Sequence, residues 1–181
     1  ILWYAVMIAL VLLSIWSSLK YHDNPRFVKA FKWIQIAQLL MLYSWYFGFR
    51  IPFSNSLPFY HCRLAMFAVV FLPDKWRSKQ YFALLGASGA VFALGYPVFD
   101  PYDFPHITSF SFLIGHYALL VNSLIYLLRR YDSSLLKNRE IVLYTFFLDM
   151  FLVGVNQVTG GNYGLMARPP IIKGDSLLVN Y

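Results

Sequence analysis

Leu57-Pro58-Phe59-Tyr60-His61-Cys62-Arg63-Leu64-Ala65 opens an apolar run that continues through Met66-Phe67-Ala68-Val69-Val70-Phe71-Leu72. The run has the composition of a membrane-embedded helix. Yet its opening residues include a proline, an imidazole, the only cysteine of the chain and a guanidinium. Ionisable groups are expensive in hydrocarbon, so such a cluster marks a functional site and requires polar neighbours from other helices. The rest of the chain reads as the scaffold that supplies them.

Hydrophobic residues make up 59% of the 181 residues and charged residues 13%, outside the usual balance of soluble domains. A soluble chain of this size has too little interior to hide so much apolar side chain. Apolar runs recur about every 25 to 30 residues, the interval needed to cross a bilayer and turn back. The expected fold is all-α: a polytopic transmembrane bundle of six spans plus the start of a seventh, in a single domain over residues 1–181. The spans fall near residues 1–16, 33–49, 57–72, 81–98, a fifth ending near 128, and 141–157. In the third, Pro58 sits in the first helical turn, where a missing N–H costs little. The first run lacks the basic flank and small-residue cleavage site of a signal peptide. Ile1 already lies in an apolar run, and Leu177-Leu178-Val179 resume one just before Tyr181, so both ends read as truncated.

Small residues four apart, Gly86 with Ala90 and Gly89 with Ala93, predict close approach between the fourth span and its neighbours. Gln35 and Gln38 share a face of the second span, which ends in an aromatic belt of Tyr43, Trp45 and Tyr46. The net charge of +7 is not a nucleic-acid footprint, because its basic residues sit in short loops between spans. Loops one, three and five carry four, three and four Lys or Arg; loops two, four and six carry Arg50, none, and Arg168 with Lys173. The positive-inside bias therefore places the odd loops in the cytoplasm and the N-terminus outside.

A single cysteine rules out an intrachain disulfide, and the four histidines are scattered without paired ligand spacing, so no metal site is expected. Phosphate-binding and dinucleotide glycine patterns are absent, and no cofactor is expected. Cys62, five residues into its span, would lie about 8 Å below the outer boundary. His116, nine residues into the fifth span, would lie about 13 Å deep. Ser109, His116 and Ser123 repeat at seven, Asp149 and Asn156 stand seven apart in the sixth span, and Tyr60 and Arg63 share a face. Polar stripes from three spans are best satisfied around one cavity. A thiol near an imidazole can surrender its proton and become a strong nucleophile, and Arg63 beside it favours the thiolate. Asn156 or Asp149 could orient the imidazole, and the asparagine could donate to an oxyanion. At that depth the nucleophile meets the ester bonds of phospholipids, so thioester-mediated acyl transfer or lipid hydrolysis would follow.

The Leu57-Pro58 and Cys62 pattern, a histidine in a later span, and Asn156-Gln157-Val158-Thr159-Gly160-Gly161-Asn162-Tyr163-Gly164-Leu165-Met166-Ala167-Arg168-Pro169-Pro170 resemble the YwaF-like bacterial integral membrane family. That family is predicted to have seven spans and is similar to a eukaryotic group implicated in cysteine-dependent phospholipid acyl transfer. The resemblance implies that Cys62 accepts the acyl group and His116 is its base, with Asn156, Asn162 and Tyr163 on the same outer rim; Asn156 joins the catalytic set through the orienting or oxyanion role above. His61, Arg63, Asp149, Asn162, Tyr163 and Arg168 would contact substrate. Membrane lipids are the implied partners, in a bacterial plasma membrane. The rival reading is a non-enzymatic protein: a lipid or small-molecule transporter, or a packing partner in a membrane complex.

Overall fold

A computed structural model of the chain describes residues 2–100 and 102–168, and the described residues are helical, with no strand. The helices are α1 (Leu2–Tyr21), α2 (Pro25–Gly48), α3 (Phe53–Ser56), α4 (His61–Phe71), α5 (Arg77–Gly95), α6 (Ile107–Arg130) and α7 (Asn138–Thr159), followed by a 3-10 turn (Tyr163–Leu165). Local sequence sets several of the boundaries. Asn24 caps α2, its Oδ1 accepting from the backbone N–H of Arg26 at 2.9 Å and Phe27 at 3.3 Å, and Pro25 follows at the first helical position. Glu140 reaches back to the Lys137 N–H at 2.8 Å at the head of α7, and Gly160 ends that helix in the left-handed conformation at φ 66°.

The bundle is built around α6, which packs against α5, α2, α1 and α4. Leu119 and Leu120 of α6 join Leu39, Ala65, Met66 and Ala90 in one buried cluster. The small residues of α5 act as the sequence predicts. A Cβ on Gly86 would lie 2.6 Å from Ser123 Oγ and 2.9 Å from Leu119 Cδ1, so glycine is what lets α5 and α6 approach. Gly89, nearly one turn further on, meets α4, with Cys62 Sγ 3.4 Å from where its Cβ would be. By contrast α1 and α7 bury only 11% of their apolar windows and turn rows of Leu, Phe and Val outward, as lipid-facing helices do.

The six expected spans correspond to α1, α2, α4, α5, α6 and α7, but only α1, α6 and α7 are long and apolar enough to cross a bilayer by length and composition. α2 and α5 have the length, at 24 and 19 residues, but carry basic first turns together with Gln, Ser and Gly. α4 differs most from expectation. It starts at His61, not residue 57, and its 11 residues reach about 16 Å at the helical rise, roughly half the hydrocarbon thickness. Leu57 is extended at φ −75°, ψ 154°, as the residue before a proline prefers, so Pro58 lies outside the helix. Cys62 is therefore the second helical residue and not one turn down. The predicted seventh span near 177–179, with Lys173, Pro169 and Pro170, lies outside the described residues.

The α5–α6 contact yields a first test. Replacing Gly86 by Val should destabilise the detergent-solubilised protein by about 1–3 kcal/mol through overpacking. Gly154→Ala, where nothing lies within 4 Å of the added Cβ, should not lower its melting midpoint. An unchanged midpoint for Gly86→Val would contradict this packing.

Candidate functional site

The C-terminal half of α2, the start of α4, the end of α5 and the first half of α6 surround a cavity of about 340 Å³. That volume is within the range of about 300–1,000 Å³ typical of small-molecule sites. Segments following α2, α5 and α7 close its mouth through Ile51, Asn55, Asp100, Tyr102 and Asn162. Cys62 and His116 both line it, one from α4 and the other from α6. No hydrogen bond joins the two among the described residues.

His116 is buried, and its Nδ1 lies 2.7 Å from the carbonyl oxygen of Phe112, one helical turn earlier. A carbonyl can only accept, so Nδ1 carries the proton. In the neutral ring Nε2 then holds a free lone pair. The Phe112 ring, 4.2 Å away between centroids, fixes the plane of the imidazole. Cys62 stands in the first turn of α4. Its cap residue Tyr60 makes no side-chain hydrogen bond to that turn's backbone N–H groups, and such an end favours negative charge.

Arg63 supplies the cation of the site. Its Nη2 donates to the Tyr46 hydroxyl at 2.6 Å, and that hydroxyl donates to Asp100 Oδ2 at 2.8 Å. The carboxylate itself is 4.0 Å from the guanidinium, so the phenol relays between the charges. The rings of Tyr60 and Tyr46 lie 4.8 and 5.1 Å from the guanidinium carbon. Arg63 Nη1 and the Tyr43 hydroxyl are buried without a hydrogen-bond partner. On the opposite wall Gln38 donates to Ser111 Oγ at 2.6 Å, tying α2 to α6.

Of the other predicted site residues only Asn162 reaches this cavity; His61, Asp149, Asn156, Tyr163 and Arg168 do not line it. Asp149 pairs with His61, Oδ1 to Nε2 at 3.0 Å, and joins α7 to α4. It does not neutralise Arg63. Asn156 is buried against the Tyr163 backbone, donating to its carbonyl at 2.9 Å and accepting from its N–H at 2.6 Å. One donor and one acceptor site of that amide are thus engaged by the Tyr163 backbone. Asn162 reaches the cavity wall while bracketing the Arg168 backbone at 3.0 and 2.9 Å; the Arg168 side chain is not part of the wall. Tyr163 is fully buried, and its hydroxyl donates to the Phe53 carbonyl and accepts from the Leu57 N–H at 2.9 Å. Gly164, at φ 68°, is needed next to it, since a Cβ there would lie 2.8 Å from the His61 ring.

Sequence reasoning missed Tyr46, Asp100 and Ser111. The wall that α6 presents is Thr108, Ser111, Phe112 and His116, a pattern of threes and fours. Ser109 and Ser123, the seven-spaced partners of His116, are buried elsewhere. The four-spacing of Thr108, Phe112 and His116 was the available signal.

Tyr163→Phe would keep the ring but leave the Leu57 N–H and the Phe53 carbonyl without this partner, at a cost of about 1–3 kcal/mol. Hydrogen–deuterium exchange should then accelerate in segments 53–60 and 160–168. Exchange at the wild-type rate would contradict the clamp.

Comparison with protein families matches the chain to the TMEM164 family over residues 1–181. No curated protein and no solved structure matches it. The match carries neither the YwaF-like name nor a bacterial membrane. It agrees with the apolar helices in making this an integral membrane protein. The chain belongs to the TMEM164 family, a family of membrane proteins.

Proposed function

We propose that the chain is a membrane-embedded acyltransferase that moves a phospholipid acyl group through a thioester on Cys62, with His116 as general base. One observation carries this reading: a thiol and an imidazole from two different helices line one cavity, and the imidazole keeps Nε2 free. In this reading the N-terminus lies outside, six helices enter or cross the bilayer, and the cavity opens toward the outer leaflet. The clustering of Lys32, Lys79, Arg129 and Arg130 at the opposite end of the bundle supports that orientation.

The chemistry runs in two balanced halves. His116 Nε2 takes the proton of Cys62 as Sγ attacks the acyl carbonyl carbon, and the carbonyl oxygen becomes an oxyanion. The N–H groups in the first turn of α4 are the donors nearest the nucleophile in sequence and supply stabilisation of that charge. The carbon–oxygen ester bond breaks, and the departing alkoxide recovers the proton from His116, leaving a thioester and a lysolipid. An acceptor hydroxyl then gives its proton to His116 and attacks the thioester carbon. The carbon–sulfur bond breaks, and the returning proton restores the thiol. A cavity buried in the bundle limits competition from water, which would turn transfer into hydrolysis.

Reconstituted in liposomes with a labelled phospholipid and a lysolipid acceptor, the wild type should transfer label. Cys62→Ala should abolish transfer, and His116→Ala should reduce it by about 10²-fold or more. Both variants should keep the wild-type melting midpoint. Full activity in Cys62→Ala would remove the proposal.

A further inference from the structure

The same four-helix core holds a second cavity at its other end, about 190 Å³ in volume, walled by α2, α4, α5 and α6. Lys32, Lys79, Arg129 and Arg130 line it, with Asp74 as the one carboxylate among the lining residues. Lys79 is buried. Its ammonium donates to Asp74 Oδ1 at 2.7 Å and to the Leu72 carbonyl at 2.8 Å. An ammonium has three N–H donors, so one remains beyond those two bonds. Arg130 Nε is 4.0 Å from Asp74, and Arg129 Nε is 3.7 Å from Asp23, whose side chain is 81% exposed at the rim. Among the lining residues four cations face the single carboxylate of Asp74, a formal surplus of three positive charges, and the exposed Asp23 that Arg129 approaches lies outside the lining.

Orientation by the positive-inside effect depends on how many Lys and Arg the loops carry and does not require them to converge. Seven of the eleven basic residues in these three loops (Lys20, Arg26, Lys29, Lys75, Arg77, Lys137 and Arg139) stay outside the cavity. The other four face it from three different helices. Behind the charges the wall is apolar, with Val28, Val69, Val70 and Ile125. A cationic mouth over an aliphatic wall, at the ends of membrane helices, has the chemistry of a lipid headgroup site. A dianion answers that surplus better than a monoanion does, and two guanidinium forks suit the oxygens of a terminal phosphate. We propose that this cavity binds the phosphomonoester headgroup of an anionic lipid, in the leaflet opposite the Cys62 cavity.

The test uses the full chain in detergent with phosphatidic acid, phosphatidylglycerol or inorganic phosphate added. Phosphatidic acid should raise the melting midpoint and bind at least about ten-fold more tightly than the monoanionic phosphodiester lipid. Inorganic phosphate at equal concentration should give no comparable shift. The double variant Arg129→Gln/Arg130→Gln, both at exposed positions, should keep the wild-type midpoint without lipid and lose the preference. Cys62→Ala should retain it, so this site stands or falls separately from the acyltransferase reading. An equal response to phosphatidylglycerol would reduce the cluster to general surface charge and overturn the proposal. An equal response to inorganic phosphate would overturn the lipid assignment. A preference surviving in the double variant would place the site elsewhere and overturn it too.

Discussion

The phenol of Tyr163 holds the cavity end of the bundle together. It donates to the Phe53 carbonyl and accepts from the Leu57 N–H, two backbone groups in a stretch where the chain is not continuous helix. At membrane depth, irregular backbone survives only where other parts of the protein satisfy its polar groups. Asn156 fixes Tyr163 by both faces of its peptide, and the rings of Phe59 and Tyr60 pack edge-on against it. Asn156 of α7 thus acts through Tyr163 on the chain ahead of α4, while Asp149 ties α7 to His61 at its start.

From that support follows the placement of Cys62. Because 57–60 is non-helical, with Leu57 and Tyr60 extended, α4 begins at His61, and the thiol lies in a helical first turn at the cavity wall. Had the helix begun at Leu57, the first-turn N–H groups near the thiol would have been consumed in the helix ladder. Arg63 needs the same arrangement. Its guanidinium is stabilised by two aromatic faces and by the Tyr46 relay to Asp100, which bring together α2, α4 and the loop before α6. A buried cation held this way gives the cavity wall a fixed positive charge.

The helices were legible because composition and run length dictate them, and the contact through Gly86 because small residues four apart have few other uses in a membrane helix. Cys62 and His116 stood out for a similar reason: neither residue type is cheap in an apolar run. The start of α4 was misread because a proline suits a first helical turn and also pushes the residue before it into extended backbone; the sequence does not say which effect wins. Asp149 and Asn156 do share a face of α7, but spacing cannot tell which neighbour that face meets. It meets His61 and the Tyr163 turn. The Tyr46–Asp100 pair was invisible because its partners are 54 residues apart and joined only by tertiary packing.

The central claim is that Cys62 carries the acyl group covalently. Intact-protein mass spectrometry of the purified chain, quenched with acid after incubation with a phospholipid of defined acyl chain, tests it most directly. The account predicts a mass increase of one acyl group, mapped to the peptide containing Cys62 and removed by neutral hydroxylamine. An acyl adduct on another residue, or turnover with no adduct at Cys62 under conditions that trap thioesters, would contradict it.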